Sequence, residues 1–203
     1  MIEIIVVVGV ALITSVLGPV SVEWVKSKLN TKENPIEEAI KFNEKVDNQL
    51  EQIIDELKCD RVWLSQFHNG GYFYPTGKSI QKFSIFYEKV SDSIPSIKET
   101  FQNIPVSLFP KLVSKLYKEG EVIIHADSTA ETKNLFSLTG EYDSKSSYNI
   151  SLTDLNDQFI GILSISYDIH KYELNSEELD YLRNKATTVG TILSGYLGSS
   201  YKK

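Results

Sequence analysis

Residues 159–167 read Phe-Ile-Gly-Ile-Leu-Ser-Ile-Ser-Tyr, and the start of an amphipathic helix follows them at Asn175. So apolar a strand is typical of the centre of a sheet that is covered on both faces. Asn175 and Glu178 have the spacing of a capping box, which satisfies free N–H groups at the start of a helix. Apolar residues then recur at steps of three and four: Leu179, Leu182, Ala186, Val189, Leu193 and Tyr196. We therefore expect a central strand followed by a long C-terminal helix, whose stripe suits a helix–helix seam as well as a sheet face.

The residues upstream of this strand predict further strands and short helices. Residues 147–153 alternate polar and apolar side chains, which is typical of a half-buried strand, and the polar residues 154–157 form the turn after it. Residues 122–125 predict a short strand, and the polar residues 126–146 a mobile loop. Two prolines break the helical pattern of residues 96–119, so two short helices are expected there.

A helix and a strand open this part of the chain. Residues 34–35 read Asn-Pro, the residue types preferred at the cap and at the first position of a helix. The periodic apolar residues after them predict a helix that ends near Lys58. Residues 61–67 are rich in strand-favouring types, residues 68–71 (His-Asn-Gly-Gly) have the chemistry of a tight turn, and residues 82–88 predict the second strand.

The first 25 residues predict a transmembrane helix. Residues 4–22 contain no charged side chain, and a bilayer core needs roughly 20 such residues in a helix. Trp24 and the lysines from Lys26 onward follow, as expected at a membrane edge. A cleaved signal peptide and a buried core helix are the alternatives, but the stretch lacks the basic start of the first and the polar stripe of the second. Residues 26–34 form a linker.

Charge and cysteine content restrict the compartment and the partners. Lysines flank the predicted span on its C-terminal side alone, so the positive-inside tendency places residues 26–203 in the cytoplasm. The chain has one cysteine, Cys59, which excludes an intramolecular disulfide and fits a reducing compartment. The net charge is −6 and Arg61 and Arg183 are the two arginines, which argues against a nucleic-acid partner.

The order of the predicted elements resembles the GAF domain, a sensor fold related to PAS domains. Residues 57–67 (Leu-Lys-Cys-Asp-Arg-Val-Trp-Leu-Ser-Gln-Phe) carry part of the likeness, because a helix runs there into the first strand. The strand and capped helix of residues 159–197 carry the rest. The resemblance implies an α+β fold with a mainly antiparallel central sheet flanked by helices. We assign the GAF-like domain to residues 35–198 and a tail to residues 199–203.

The resemblance also implies a function. Many GAF domains bind small molecules between the sheet and its covering loops, and their terminal helices commonly pair in parallel dimers. A homodimer through helices 36–57 and 179–197 is therefore implied. The cyclic-nucleotide signature cannot be placed in this chain, and a single cysteine cannot perform the disulfide relay of methionine-sulfoxide-reducing members. Bilin-binding members attach pigment through a pocket cysteine, whereas Cys59 precedes the first strand, so no cofactor is predicted.

Candidate ligand-binding residues lie in the predicted turns and aromatic strands. His68 and Asn69 could place an imidazole and an amide at a pocket mouth, although Asn-Gly also simply closes hairpins. His125 and Asp127 stand at a strand end beside the predicted loop. Core packing is the alternative for the aromatic residues, because alternate strand residues face inward. The candidate set is His68, Asn69, Tyr72, Tyr74, Phe86, His125, Asp127 and Tyr148.

No catalytic or metal-binding motif accompanies these residues. His68, His125 and Asp127 are of types that zinc or iron accepts, but their spacing gives no support, and we predict no metal. The chain has no G-x-S-x-G sequence and no glycine-rich phosphate loop. An enzyme using His68 and His125 would need both rings within hydrogen-bond reach of each other or of a common atom.

We therefore expect a membrane-anchored, cytoplasmic, non-enzymatic GAF-like domain that binds a small molecule or a protein partner as a sensor or regulator. A ligand-free structural or accessory scaffold of a membrane-associated complex is the alternative. A pocket of roughly 300 Å³ or more favours ligand binding, and a filled interior favours the scaffold.

Overall fold

The structure is a computed structural model that describes residues 34–126 and 144–200. The chain divides into two compact units, Met1–Lys41 and Phe42–Lys203, and residues 34–41 are the described part of the first. The predicted membrane span, most of the linker and most of the predicted loop lie outside the described residues. Within the ranges described, no helix combines the length and the apolar composition that crossing a membrane requires.

Helix α1 (Pro35–Leu57) begins where the sequence predicts. Asn34 caps it, because its side-chain Oδ1 accepts a hydrogen bond of 3.0 Å from the backbone N–H of Ile36. From Phe42 onward, one face of the helix carries Val46, Leu50, Ile53 and Leu57, all of them buried. The amphipathic pattern therefore becomes a core-facing helix.

Six strands form one antiparallel sheet, as the GAF resemblance implies. Their order in the sheet is β3-β2-β1-β6-β5-β4, so β6 lies near the centre, between β1 and β5. The prediction of a central strand over residues 159–167 is confirmed. The strands are β1 (Arg61–Tyr72), β2 (Ser79–Val90), β3 (Ile104–Pro105), β4 (Glu121–His125), β5 (Ser146–Thr153) and β6 (Phe159–Tyr167).

The predicted turn at residues 68–71 is wrong, because β1 continues through it. His68 pairs with Lys82 and Asn69 with Gln81, and the chain reverses only after Tyr72. At Gly70 the missing side chain leaves room for the Lys82 side chain: a Cβ there would lie 2.3 Å from Cδ of Lys82, which would have to move aside. Gly71 has a positive φ of 113° and lies in the irregular part of the pairing between Asn69 and Tyr72, so its glycine serves the backbone conformation there.

Of the two short helices predicted between residues 96 and 119, only the second is present. It is α2 (Pro110–Glu119), and Gly120 ends it in a left-handed conformation with φ of 81°. Before it lie turns, the two-residue strand β3 and a short 3₁₀ helix (Val106–Leu108). Pro105 fits an edge strand, where a missing N–H costs no ladder hydrogen bond.

Helix α3 (Ser176–Ser200) closes the fold, and its predicted capping box is confirmed. The N–H of Glu178 donates to Oδ1 of Asn175 over 3.0 Å, and the N–H of Asn175 donates to Oε2 of Glu178 over 2.8 Å. The helix packs close to the end of β5, since a Cβ at Gly190 would lie 2.4 Å from the carbonyl oxygen of Thr153.

Each face of the sheet covers its own core. Helices α1 and α3 pack on one face, which we call the helix face; α2 and the segment before it pack on the other, the α2 face. The helix face buries apolar strand residues such as Val62, Leu64, Tyr148, Ile150, Leu163 and Ile165. The α2 face buries Trp63, Phe83, Ile85 and Ile162 against Phe109, Leu112 and Leu116.

The apolar stripes that suggested a dimer seam face the chain's own core. Leu50 and Ile53 of α1, and Leu182, Val189 and Leu193 of α3, are fully buried within one chain. A dimer through the helices of residues 36–57 and 179–197 stays a prediction, and it would use the outer faces of these helices.

Candidate functional site

The α2 face carries a row of buried polar side chains across β1, β6 and β5. The register aligns four of them, since Ser164 lies opposite both Trp63 and Asn149, and Ser166 lies opposite Ser147; Ser65 lies opposite Ile162, two positions from Ser164 along β6. We call this row the polar strip. It consists of Ser65, Ser147, Asn149, Ser164 and Ser166, and all five are buried.

Hydrogen bonding satisfies only part of the polar strip. The hydroxyl of Ser164 donates to Oδ1 of Asn149 over 2.7 Å, and Nδ2 of Asn149 donates to the carbonyl oxygen of Val122 over 3.1 Å. The hydroxyls of Ser65 and Ser166 have no hydrogen-bond partner within the described part of the chain. A buried hydroxyl left without a partner costs about 1–3 kcal/mol, so the strip has unused hydrogen-bonding capacity.

A buried ion cluster adjoins the polar strip at Arg61, which lies opposite Ser166. The guanidinium nitrogens of Arg61 lie 3.3 Å from Glu88 Oε1 and 3.2 Å from Asp168 Oδ2. Arg61 also donates to the carbonyl oxygen of Pro95 over 2.9 Å. The cluster places one cation between two carboxylates and holds the segment after β2, so it is suited to supporting this face of the sheet.

The first group of predicted site residues lies at the far end of β1 and β2. The His68 ring nitrogen Nε2 lies 2.8 Å from Ser84 Oγ, and the ring meets Phe86 edge-on. Asn69 accepts a hydrogen bond of 2.9 Å from the Ser79 hydroxyl. Tyr72 and Tyr74 are exposed near the tip of this hairpin. These contacts join the two strands.

The second group lies at the opposite end, on the helix face. His125 Nδ1 lies 3.3 Å from Ser146 Oγ, and its ring meets Tyr148 edge-on. The Tyr148 hydroxyl accepts a hydrogen bond of 2.8 Å from the N–H of Leu174 and donates one of 3.2 Å to the carbonyl oxygen of Tyr172. Burial raises the pKa of Tyr148 above its ordinary value. Tyr148 therefore anchors the segment before α3, while Asp127 lies outside the described residues.

The two groups are too far apart to act together. His125 is aligned through Ser146 with Tyr167 at the end of β6, while His68 lies beyond the last pair of β1 with β6, Gln66 opposite Gly161. At about 3.3 Å per strand residue, the two rings are separated by about 25 Å along the sheet. This separation excludes the alternative of an enzyme that uses both histidines on a common atom, while the candidate ligand-binding residues stay a prediction.

The polar strip was missed because its residues resemble a solvent-facing half of a strand. Residues 147–153 alternate as a half-buried strand does, yet residues 146–150 are all buried. Serine and asparagine at alternate positions predict a solvent-exposed strand face, because burying these side chains without hydrogen-bond partners is costly. Only the packing over the α2 face reveals that these groups are enclosed.

Cys59 lies on the wrong face to attach a ligand at the polar strip. Its side chain is 3% exposed and belongs to the core of the helix face. Burial raises the pKa of the thiol to about 12, so it is protonated at neutral pH. Covalent attachment of the kind that bilin-binding GAF domains use is not available to this thiol.

A recess lies beside α3 at the outer edge of the sheet. This cleft of about 260 Å³ is lined in part by Glu121, Ser151 and Arg183. Arg183 makes two hydrogen bonds of 2.8 Å to Glu121 and one of 2.7 Å to Asp180. Its charges are already paired, and the described ranges contain no group of three or more His, Cys, Asp or Glu side chains arranged to hold a metal ion.

Solved structures of GAF domains share this architecture. A phycocyanobilin-bound GAF domain from a cyanobacterial phytochrome superposes with a TM-score of 0.64 at 15% identity, over 82% of this chain and 92% of that one. The blue-light absorbing form of the PixJ GAF domain from Thermosynechococcus elongatus has a TM-score of 0.57 at 16% identity, over 80% of this chain and 92% of that one. A GAF domain/HD domain protein from Geobacter sulfurreducens superposes with a TM-score of 0.53 at 13% identity, over 77% of this chain and 92% of that one. The chain therefore has the GAF fold.

Sequence comparisons add nothing to this structural likeness. No family model matches the chain, and no curated protein matches it. The identities to the solved structures are too low to transfer a ligand or an activity, so the function has to be argued from the residues of the site.

Proposed function

We propose that residues 35–198 form a non-enzymatic sensory module that binds a small molecule over the polar strip. The observation that carries this proposal is the pair of buried hydroxyls, Ser65 and Ser166, which have no partner in the described part of the chain. Ser65 lies four β6 positions from Ser166, about 13 Å along the sheet, so an elongated ligand with hydrogen-bonding groups at both ends would satisfy both hydroxyls, and the cost of burying them would then become affinity.

The chemistry of the α2 face favours binding over catalysis. The polar strip offers hydroxyl and amide groups, and the charged groups beside it, Arg61, Glu88 and Asp168, are paired with one another. General acid–base catalysis needs a titratable group that is free to exchange a proton with the substrate. A neutral, polar ligand matches the strip better than a charged one.

The ligand is proposed to bind without a covalent bond. The phytochrome GAF domain above binds phycocyanobilin, which shows that this fold can enclose a large organic molecule. In the present chain the single cysteine lies in the core of the helix face, with the sheet between it and the polar strip. Reversible binding is also what a sensor of a metabolite requires, because occupancy must follow concentration.

We further propose that residues 4–22 anchor this module to a membrane, with residues 26–203 in the cytoplasm, and that two copies associate. A tether confines the module to two dimensions and raises the effective concentration of its twin or partner. Cell fractionation of the full chain tests the anchor: recovery in the membrane fraction after a high-salt wash is expected, and recovery in the supernatant would contradict it.

Native mass spectrometry of the gently purified full chain tests the binding proposal. We expect a reproducible mass excess, corresponding to a small molecule, that disappears when the protein is denatured. Ser65→Ala and Ser166→Ala should reduce the bound fraction at least several-fold. Ser91→Ala is the matched control, because Ser91 is another buried hydroxyl without a described partner but lies outside the strip.

The outcomes separate the two functions that the sequence leaves open. Loss of the mass excess in the two strip variants, but not in Ser91→Ala, supports a ligand at the strip. An excess that survives in all variants places the ligand elsewhere. No excess in any preparation favours the ligand-free scaffold of a membrane-associated complex.

A further inference from the structure

Strands β1 and β2 extend beyond the rest of the sheet as a two-stranded arm, residues 69–81. The last pair between β1 and β6 is Gln66 with Gly161, and the pairing of β2 with β3 ends at Lys82. Past these positions, β1 and β2 pair only with each other among the described strands. The arm therefore projects from the body of the domain.

Three consecutive aromatic residues stand exposed at the tip of the arm. Tyr72, Phe73 and Tyr74 are 72%, 54% and 97% exposed. Soluble proteins rarely leave neighbouring large apolar side chains in water without a binding role. The tip is convex, since residues 71–78 are all exposed, so it would enter a surface rather than receive a ligand.

The arm also differs in charge from the rest of the chain. Residues 62–87 contain no aspartate or glutamate, whereas the chain as a whole has 27 acidic residues against 21 basic ones. Lys78 lies on the arm, and Lys82 lies at its base with its stem across Gly70. A local positive charge in an acidic protein favours a negatively charged partner surface.

Hydrogen bonds hold the arm in this form before any partner binds. The N–H of Phe73 donates a hydrogen bond of 2.8 Å to the carbonyl oxygen of Lys78. The N–H of Gly77 donates another, also of 2.8 Å, to the carbonyl oxygen of Phe73. Further back, Ser79 donates to Asn69 over 2.9 Å. An ordered tip loses less conformational entropy on binding than a flexible loop does.

We propose that the tip of this arm contacts the surface of an anionic lipid bilayer. Tyrosine and phenylalanine rings can lie at the level of the headgroups, with the apolar ring in the membrane and the hydroxyl in water. Lysines behind the rings would then meet anionic headgroups while their stems remain against the hairpin. A convex tip with aromatic residues in front and lysines behind fits a deformable, negatively charged interface better than a preformed groove.

The test places an environment-sensitive fluorophore (NBD) on the tip of the full chain through Tyr74→Cys. Cys59 is buried and does not compete for the label. The labelled protein is mixed with vesicles of phosphatidylcholine alone or of phosphatidylcholine with phosphatidylserine. We expect a blue shift and a several-fold gain in emission on the phosphatidylserine vesicles, with quenching by spin-labelled lipid. Raising the salt concentration should reverse the gain.

A matched label at Ser93→Cys serves as the control. Ser93 is exposed and lies just beyond β2, at the end of the sheet opposite the arm. A membrane tether elsewhere in the chain would act on both vesicle types and both labels alike. The substitutions Lys78→Glu and Lys82→Glu are then introduced into the protein labelled at position 74. They should remove most of the gain in NBD emission that phosphatidylserine causes.

Three results would overturn the proposal. An unchanged spectrum at position 74 while the protein floats with the vesicles would show that the tip stays in water. Equal changes at positions 74 and 93 would show non-specific adsorption. A blue shift without lipid that grows with protein concentration would show that a second copy of the chain covers the tip instead.

Discussion

The helix face and the α2 face belong to the same six strands, but they bury different chemistry. Under α1 and α3 the strands present leucine, isoleucine and valine, and the hydroxyls of Tyr148 and Tyr167 both have partners. Under α2 the same strands present the polar strip beside Trp63 and Ile162. The helix face therefore stabilises the fold. The α2 face carries polar groups whose desolvation is not fully offset by hydrogen bonds within the chain.

This difference suggests a division of roles within a single sheet. A stable apolar face can tolerate incomplete satisfaction of hydrogen bonds on the other face, because the total stability of a domain is a small difference between large terms. If the polar strip binds a ligand, occupancy would stabilise the α2 face and leave the helix face unchanged. Substitutions on the two faces should therefore differ in the sign and the size of their effect on stability.

Leu163→Ala should cause the largest loss of stability. Leu163 lies in the middle of β6 and is fully buried on the helix face. Removing a buried leucine side chain costs about 3 kcal/mol, from lost burial and the cavity left behind. Urea denaturation measures the change, and Leu155→Ala in the exposed β5–β6 turn is the matched control, with less than about 0.5 kcal/mol expected. Equal effects at the two positions would refute the assignment of the stabilising core.

The thiol of Cys59 should make stability fall at alkaline pH. Burial raises its pKa from 9.0 to about 12, so it stays protonated in the folded chain while the unfolded chain ionises near pH 9. The unfolded state then binds fewer protons, and stability decreases as pH rises through that value. Relative to Cys59→Ala, the wild-type free energy of unfolding should fall by about 1.4 kcal/mol between pH 8 and pH 10. Parallel pH profiles of the two proteins would show that the thiol is not buried.

Ser166→Ala should change stability in the direction opposite to most substitutions. Its hydroxyl has no described partner, so its removal should stabilise the ligand-free protein by up to about 1 kcal/mol. Ser164→Ala is the control on the same strand and face: it removes the donor to Asn149 Oδ1 and should destabilise by about 1 kcal/mol. Thermal unfolding compares the two variants. Destabilisation by both would mean that the Ser166 hydroxyl is already satisfied in the free protein.

Most helices and strands could be predicted because their signals are local in sequence and agree with the burial that the fold imposes. The capping box at Asn175 and Glu178, the asparagine cap of α1 and the apolar strand β6 each depend on residues close together in sequence. The turn expected at residues 68–71 failed because cross-strand pairing with Lys82 and Gln81 outweighed the local preference of Asn-Gly. A contact between distant residues had decided the conformation.

The candidate site was much less predictable than the fold. His68 and His125 stood out as unusual residue types, but the strand order separates them by most of the sheet. Ser147, Asn149 and Ser166 did not stand out, because serine and asparagine are common on exposed strand faces. Their burial depends on α2 and on the preceding segment, which is held by the cluster of Arg61 and Glu88.

The amino-acid order by itself determined where helices and strands begin and which residues of each are apolar, because caps, periodicity and proline act over a few residues. It also determined that the chain has a single cysteine. The tertiary structure alone decided which polar residues are enclosed, which histidines are apart and how far the hairpin projects. These properties depend on strand order and on packing between segments far apart in sequence, as in the hydrogen bond from the Tyr167 hydroxyl to the carbonyl of Leu57, 110 residues away.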